Sequence, residues 1–269
     1  MSERRVMLLG LPETGKSTFI GTLWHFVEEP SIEYIQETSL PGERRHIQEL
    51  AEHVRELTEI TRTNHDADER FEVPVEFPGS GTVTLVIPDH SGEQLEALVQ
   101  RRTWPELLRE ELAQASAVIL FVHPDHIDPP LELHLFPGGV PDGQAPPDYE
   151  NRRACTAAQL IDGLEDVLEA MRDRWPVRLA VVISAFDLAG KVTPKAWLDL
   201  RLPAVASMLQ SDPARVHSVI FGVCAQGGPR EQAEEVKQRG DLHERAWARS
   251  ADGSDIPFSE PVRWALGWE

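Results

Sequence analysis

The stretch Gly10-Leu11-Pro12-Glu13-Thr14-Gly15-Lys16-Ser17 stands between two apolar segments of different period. Residues 6–9 form a short continuous apolar run, which is typical of a buried strand, and residues 17–27 place apolar side chains at helical spacing. A loop of the form G-x-x-x-x-G-K-S in this context binds phosphate, because its glycines let backbone N–H groups turn inward toward phosphate oxygens. We therefore predict that this loop binds the phosphates of a nucleoside triphosphate.

The side chains of this loop have distinct tasks in the prediction. Lys16 is expected to reach the β- and γ-phosphates, and the Ser17 hydroxyl is expected to bind Mg²⁺. The helix that begins at Lys16 presents its positive dipole end, and Thr18 follows within reach of the α-phosphate. The predicted nucleotide-binding residues of the loop are Glu13, Thr14, Gly15, Lys16, Ser17 and Thr18.

Strand and helix patterns alternate along the rest of the chain. Apolar runs typical of strands lie at residues 82–87, 117–122, 178–183 and 218–223, and helical patterns lie at 43–60, 93–113, 154–173 and 194–210. This alternation predicts a three-layer α/β fold, in which a mostly parallel sheet has helices on both faces. Residues 71–77 alternate like a half-buried strand, so we expect them to form one antiparallel edge strand. We predict a single domain over residues 1–269, with insertions at about 31–62, 124–153 and 227–255.

The composition restricts the class of partner and the compartment. The formal net charge of −19 argues against broad binding to nucleic acid or anionic lipid, since both require a positive surface. Cys155 and Cys224 are the two cysteines, and their separation fits a reducing compartment rather than a disulfide scaffold. No apolar stretch approaches the roughly 20 residues that span a bilayer, and no signal peptide is recognisable. We therefore expect a cytoplasmic protein without a membrane span.

An acidic residue follows the strand predicted at 82–87. Asp89 stands where proteins with this kind of phosphate-binding loop place the carboxylate that holds Mg²⁺. With Gly92 it gives the spacing Asp-x-x-Gly, which resembles the γ-phosphate sensor of Ras-like GTPases. That resemblance implies that the backbone N–H of Gly92 contacts the γ-phosphate and that the segment relaxes after hydrolysis.

Two further strand ends resemble the base-reading segments of the same GTPases. Residues 184–187 read Ser-Ala-Phe-Asp where that family has Asn/Thr-Lys-x-Asp, so Asp187 matches the aspartate that accepts hydrogen bonds from guanine. Ser184 replaces the usual first residue, and Ala185 lacks the lysine stem that stacks on the base, which weakens the expected preference for guanine. Ala225 matches the residue whose backbone N–H meets the guanine O6.

These four segments occur in the family's order, each at the carboxyl end of a predicted strand, where ligands bind in open α/β sheets. The chain therefore resembles the translation-factor-related (TRAFAC) GTPases with a Ras-like core. Residues 8–19, with Trp24 and His25, and the closing residues 260–264 are similar to bacterial double-GTPase families of multi-gene systems predicted to act in conflict or defence. Membership implies GTP or GDP as ligand, Mg²⁺ as cofactor, and protein partners such as a second GTPase, an effector or an adaptor.

The resemblance also implies a switch threonine and a residue that positions the attacking water. The threonine, which coordinates Mg²⁺ and the γ-phosphate, is expected before the second strand; we favour Thr63, then Thr61, with Thr38 as a third candidate. Glu93 stands where the family has its water-positioning glutamine. A glutamate polarises water but repels the γ-phosphate, so hydrolysis by this chain alone is expected to be slow or to need a residue supplied in trans. The predicted catalytic residues are Lys16, Thr63 and Glu93, and the predicted metal ligands are Ser17, Asp89 and Thr63.

The predicted site residues are compatible with three functions. The favoured one is a GTPase switch that hydrolyses GTP to GDP with Mg²⁺ and signals to partner proteins. The second is an ATPase or a P-loop kinase that transfers phosphate to a small acceptor, and nucleotide preference discriminates it from the first. The third is a module that binds nucleotide for structure or assembly without turnover, which the departure at Glu93 favours.

Overall fold

A computed structural model of the chain describes residues 4–28, 36–37, 44–58, 71–77, 81–87, 106–128 and 155–268. Within these ranges nine strands form one sheet in the order β2-β3-β4-β1-β5-β6-β7-β8-β9. The strands are β1 (Arg4–Gly10), β2 (Gln36–Glu37), β3 (Phe71–Phe77), β4 (Gly81–Ile87), β5 (Ala117–Val122), β6 (Val177–Ile183), β7 (Val216–Cys224), β8 (Trp247–Arg249) and β9 (Asp255–Ile256).

The centre of the sheet is parallel. β1 pairs in parallel with both β4 and β5, and the parallel pairing continues through β6 to β7. In register, Gly10 lies opposite Phe121 and Ile183 lies opposite Gly222, so the carboxyl ends of these strands meet at one edge. The mostly parallel α/β sheet predicted from the sequence is confirmed.

Helices cover both faces of this sheet. Alternate residues of β1 divide the core: Val6 and Leu8 pack with α1, α2 and α9, whereas Met7 and Leu9 pack with α3 to α6 on the opposite face. The helices are α1 (Lys16–Glu28), α2 (Arg44–Glu56), α3 (Glu106–Gln114), α4 (Thr156–Ala170), α5 (Pro194–Arg201), α6 (Pro203–Ser211), α7 (Ala233–Lys237), α8 (Leu242–Arg245) and α9 (Glu260–Ala265). Among the described helices, none has the length and apolar character needed to cross a membrane.

Antiparallel strands extend both edges of the sheet. β3 pairs antiparallel with β4, as predicted, but β2 pairs with β3 and lies outside it. At the opposite edge, β8 pairs antiparallel with β7 and β9 pairs with β8, within and just after the segment predicted as a partly helical insertion. Strands of two or three residues are too short to display a two-residue period, so the sequence pattern does not reveal them.

The helix predicted over 194–210 is in fact two helices, α5 and α6. Leu202 separates them, with φ −136° and ψ 57°, and Pro203 begins α6. Proline lacks a backbone N–H, and its ring disfavours the helical conformation of the preceding residue. The single-helix prediction was therefore wrong at this position. The helix predicted over 93–113 is described from Glu106 onward, and its earlier part lies outside the described residues.

The packing of α1 against α2 follows the predicted apolar face of α2. Ile47, Leu50 and Val54 are buried, as their helical spacing predicts. The two helices cross closely at Gly21, where an added β-carbon would stand 2.7 Å from the Leu50 carbonyl oxygen. This contact fixes α2 against α1, the helix that follows the loop from Gly10 to Ser17.

Candidate functional site

The loop from Gly10 to Ser17 joins β1 to α1 in a tightly curled backbone. Glu13 and Gly15 have φ values of 61° and 85°, so two alternate residues of the loop adopt the left-handed conformation. Successive N–H groups in such an alternation converge on one point and bind anions. The side chain of Glu13 is exposed, and α1 begins at Lys16 with Ser17 and Thr18 half-buried in its first turn.

Thr14 braces the loop from inside. Its side chain is 3% exposed, and its hydroxyl donates a hydrogen bond of 2.8 Å to the Leu11 carbonyl. An added β-carbon at Gly10 would stand 2.6 Å from Thr14 Oγ1 and 2.7 Å from the Phe121 carbonyl oxygen. Because its hydroxyl is used within the loop, the part of Thr14 that remains for a ligand is its backbone.

The ammonium of Lys16 lies across the loop. Lys16 Nζ donates to the carbonyls of Gly10 at 2.9 Å and Leu11 at 3.0 Å. Burial lowers its pKa from the ordinary value to about 8. A buried ammonium is poorly solvated, so a phosphate oxygen that replaced these carbonyls would interact with it strongly.

The segment after β6 touches the loop through Ser184. This residue is buried, its hydroxyl donates to the Val122 carbonyl at 3.2 Å, and its side chain lies against Gly15. Ala185 follows with φ 42° and ψ 45°, a left-handed conformation that is uncommon for a residue with a side chain. The chain turns sharply here, and Asp187 and Leu188 are exposed at the surface.

Asp187 is exposed at the start of a short 3₁₀ turn over Phe186–Ala189. Phe186 anchors this turn in the core, with its ring so close to Gly222 that an added β-carbon there would stand 2.5 Å from Phe186 Cδ1. On the neighbouring strand, burial raises the pKa of the Cys224 thiol, and the charge and hydrogen bonding of Asp187 raise it further. The thiol therefore stays protonated beside the Asp187 carboxylate.

Ala225 follows β7, and a side chain of α1 binds its carbonyl. The Thr22 hydroxyl lies 2.8 Å from the Ala225 carbonyl oxygen and 3.0 Å from that of Thr18. Thr22 is fully buried, at 0% exposure. Sequence analysis missed this residue; the available signal was a hydroxyl among the apolar residues Phe19, Ile20 and Leu23.

The chain beyond Ala225 is tied to α2. Arg239 donates to the Gly227 carbonyl at 3.1 Å, and the stem of Arg245 packs so closely that a β-carbon at Gly227 would stand 2.6 Å from Arg245 Cβ. The guanidinium of the buried Arg245 donates to the carbonyls of Val54 and Arg55 at the end of α2. Sequence patterns carried no signal for these contacts.

A pair of histidines lies beside the loop, after β5. The rings of His123 and His126 stack with centroids 4.4 Å apart, and His123 Nδ1 accepts the backbone N–H of Asp125 at 3.2 Å. Burial lowers the pKa of His123, and the charge of His126 lowers it further, while Asp125, Asp187 and Glu13 act in the opposite direction. His123 therefore lies within electrostatic reach of both the loop and the segment that carries Asp187.

Several predicted site residues lie outside the described part of the chain: Thr38, Thr61, Thr63, Asp89, Gly92 and Glu93. β4 ends at Ile87, two residues before Asp89, and lies directly beside β1, which leads into Ser17. The hydroxyl and carboxylate oxygens of Ser17 and Asp89 are hard ligands of the kind that Mg²⁺ prefers, so this donor set fits the ion. Among the residues that the structure describes, no three His, Cys, Asp or Glu side chains form a metal-binding group.

Three segments predicted as one site are thus brought together by direct contacts. Gly15 lies against Ser184, and the Thr22 hydroxyl meets the Ala225 carbonyl. The arrangement offers curled backbone N–H groups and a buried ammonium to phosphates, and an exposed carboxylate to a hydrogen-bond donor at the other end. A nucleotide carries these two features at its opposite ends.

Comparison with known proteins gives one family match. The family described as Double-GTPase 1 matches residues 7–265. Among solved structures, the G domain of the T. maritima FeoB iron transporter is 16% identical, with a TM-score of 0.37 over 88% of this chain and 96% of that one. The Arl6 small GTPase from Trypanosoma brucei, with a bound nucleotide analogue, is 14% identical, with a TM-score of 0.39 over 89% of this chain and 100% of that one. No curated protein matches the sequence significantly.

Proposed function

The chain belongs to the Double-GTPase 1 family, and from this we propose that it is a GTP-binding switch protein that hydrolyses GTP to GDP with Mg²⁺. The observation that carries the proposal is the extent of the match. Residues 7–265 include both the loop from Gly10 to Ser17 and the acid at Asp187, so the match covers the phosphate end and the base end of the site together.

Asp187 is the basis of guanine preference in this proposal. A carboxylate accepts hydrogen bonds from the N1–H and the exocyclic amine of guanine, and adenine does not offer two donors in that arrangement. The exposed position of Asp187 leaves its oxygens accessible, while the buried Phe186 holds the turn in place. Ala185 has no stem to stack on the base, so we expect a weaker preference than a lysine there would give.

Hydrolysis proceeds in this proposal by in-line attack of water on the γ-phosphate. The Lys16 ammonium and the loop N–H groups stabilise the negative charge that develops on the phosphate oxygens. Ser17 and Asp89 would hold Mg²⁺, which would supply positive charge to offset that of the phosphates. Thr63 is the proposed switch residue, and Glu93 in place of glutamine makes unaided turnover slow, so a partner is proposed to complete the catalytic residues.

The wider role follows the family assignment. We infer that the GTP-bound form signals to protein partners, among them a second GTPase, an effector or an adaptor, in a bacterial multi-protein system of the conflict or defence type. The protein is proposed to act in the cytoplasm, without nucleic acid as a ligand. The net charge of −19 supports protein partners with basic surfaces over nucleic acid.

The test is a titration of the protein with fluorescent GTP, GDP and ATP analogues in the presence of Mg²⁺. Wild-type protein, Lys16→Ala and Asp187→Ala are compared, and Lys195→Ala is the matched control because Lys195 is an exposed lysine on α5. We expect tight guanine binding in the wild type and the control, and loss of it in the other two variants. ATP binding that equals GTP binding and is indifferent to Asp187→Ala would instead support an ATPase or a kinase.

A change of base preference gives a sharper result than a loss of binding. Asp187→Asn replaces one acceptor by a donor, and xanthine carries an oxygen where guanine carries its amine. The variant is therefore expected to lose GDP and to gain xanthosine diphosphate. Single-turnover hydrolysis of bound GTP then separates a GTPase from an assembly module, which would retain its nucleotide without turnover.

A further inference from the structure

Thr22 is a fully buried hydroxyl in the second turn of α1, on a face that is otherwise apolar. Phe19, Ile20 and Leu23 around it are also buried. Burying a hydroxyl costs free energy unless the group is hydrogen bonded, and valine would fill the same volume without that cost. The hydrogen-bond partners of the Thr22 hydroxyl therefore decide whether threonine is better than valine at this position.

Its single proton has two carbonyl acceptors. The Thr18 carbonyl, at 3.0 Å, is the local acceptor one turn earlier that a helical threonine ordinarily uses. The Ala225 carbonyl is nearer, at 2.8 Å, and lies 203 residues further along the chain. The second contact crosses from the phosphate-binding helix to the loop that follows β7.

Ala225 is restrained on both sides. Before it, Cys224 pairs with Trp247 in the sheet. After it, Thr22 binds the carbonyl of Ala225, and the side-chain amide Nε2 of Gln226 donates to the Gly228 carbonyl at 3.0 Å. With its neighbours held in this way, Ala225 cannot rotate its own N–H freely.

We propose that Thr22 is a positioning residue for base recognition: by binding the Ala225 carbonyl, it aligns the Ala225 N–H with the O6 of guanine. This rests on the proposed function. The contact also joins the two ends of the nucleotide site, since Thr22 is on the helix that begins at Lys16.

The experiment measures the affinity of two diphosphates by competition against fluorescent GDP. GDP has the O6 acceptor, whereas 6-thio-GDP keeps the N1–H and the amine but presents a weakly accepting sulfur in its place. Thr22→Val removes the hydroxyl and preserves the volume; Thr22→Ser retains the hydroxyl. Melting temperatures establish that the variants are folded, and Thr22→Ala replaces the valine variant if that one does not fold.

One neutral hydrogen bond corresponds to about a three- to tenfold change in affinity. We therefore expect Thr22→Val to weaken GDP binding by that factor while leaving 6-thio-GDP within about twofold, and Thr22→Ser to resemble the wild type with both ligands. Equal weakening of both ligands, or of neither, would overturn the role of Thr22. A wild-type protein that binds GDP no more tightly than ADP would overturn the proposed function itself, before any variant is compared.

Discussion

Gly15 lies directly against the side chain of Ser184, where an added β-carbon would stand 3.1 Å from Ser184 Cβ and 3.3 Å from its Oγ. The loop from Gly10 to Ser17 and the segment after β6 therefore meet through a residue that has no side chain. Gly15 also adopts φ 85°, a left-handed conformation that glycine adopts without strain and that other residues adopt only rarely. Backbone conformation and close approach thus require glycine independently.

We predict that Gly15→Ala weakens nucleotide binding by about tenfold or more and destabilises the protein. Gly190 provides a matched control, because its φ is 80° and nothing lies within 4 Å of an added β-carbon. Gly190→Ala is expected to cost roughly 1 to 3 kcal/mol of unfolding free energy through backbone strain alone, because φ 80° with ψ −159° is a conformation that essentially only glycine adopts. Urea unfolding and GDP titration measure the two effects.

The contact with Ser184 can be isolated by a second substitution. Ser184→Gly removes both atoms that an alanine at position 15 would meet. In the Gly15→Ala background it should recover part of the lost stability, while the backbone strain remains. If Gly15→Ala and Gly190→Ala have equal effects on stability and binding, close packing against Ser184 is not important.

Arg178 is predicted to dock the C-terminal helix α9. Its Nε and Nη2 donate to the Trp264 carbonyl at 2.9 and 2.6 Å, and the guanidinium stands 4.3 Å from the centroid of the Trp264 ring. Arg178→Lys keeps the charge but loses the paired donors and the planar stack, which should cost about 1 to 2 kcal/mol of unfolding free energy. Arg201→Lys, at an exposed arginine, is the control. Similar unfolding midpoints for the two variants would contradict the prediction.

Local patterns predicted those parts of the fold that depend on neighbouring residues in the sequence. The strand–loop–helix unit around Gly10 and Lys16 is present because a continuous apolar run, a glycine turn and a helical period each act within a few residues. The helical spacing of Ile47, Leu50 and Val54 likewise identified the buried face of α2. Alternation of such units then leaves few topologies besides a parallel sheet.

Contacts between distant segments were not predicted, because they depend on residues that are far apart in the sequence. Thr22 and Ala225 meet only because the tertiary fold brings α1 to the end of β7, although β5 and β6 separate β1 from β7 in the sheet, and no local pattern encodes this. The contacts of Ser184 with the Val122 carbonyl and with Gly15 likewise join distant segments. A motif comparison assigns Ser184 to the nucleotide site and carries no signal for these contacts, and its contact with nucleotide stays a prediction.

The two cysteines are predicted to differ in reactivity. Cys224 is buried and its thiol pKa is raised by that burial and by Asp187, whereas Cys155 is half-buried beside the start of α4. Since the thiolate is the nucleophile, iodoacetamide should label Cys155 in the native protein and label Cys224 roughly a hundredfold or more slowly than after unfolding in urea. Mass spectrometry locates the label, and Cys155→Ser should abolish the native labelling. Rapid native labelling of Cys224 would show that its thiol is accessible and ionised.

His123 is predicted to make the folded protein sensitive to acid. Burial, and then the charge of His126, hold the pKa of His123 below its ordinary value, against the opposing charges of Asp125, Asp187 and Glu13. As the pH falls below about 6.5, the ordinary histidine value, the unfolded chain takes up a proton before the folded protein does. Protonation then favours unfolding, so the contribution of His123 to stability is intact above that pH and is lost progressively below it.

His123→Asn tests the direction of this pH dependence. The side-chain oxygen of asparagine can accept the hydrogen bond from the Asp125 N–H that His123 Nδ1 accepts, and asparagine does not titrate. Unfolding free energies measured by urea at pH 8, 7, 6 and 5 should diverge, with the wild type losing stability relative to the variant below pH 6.5. His126→Asn removes the stacked neighbour and should reduce that loss without abolishing it, since burial is the larger cause. Parallel curves for the wild type and His123→Asn would mean that the acid sensitivity of the fold lies elsewhere.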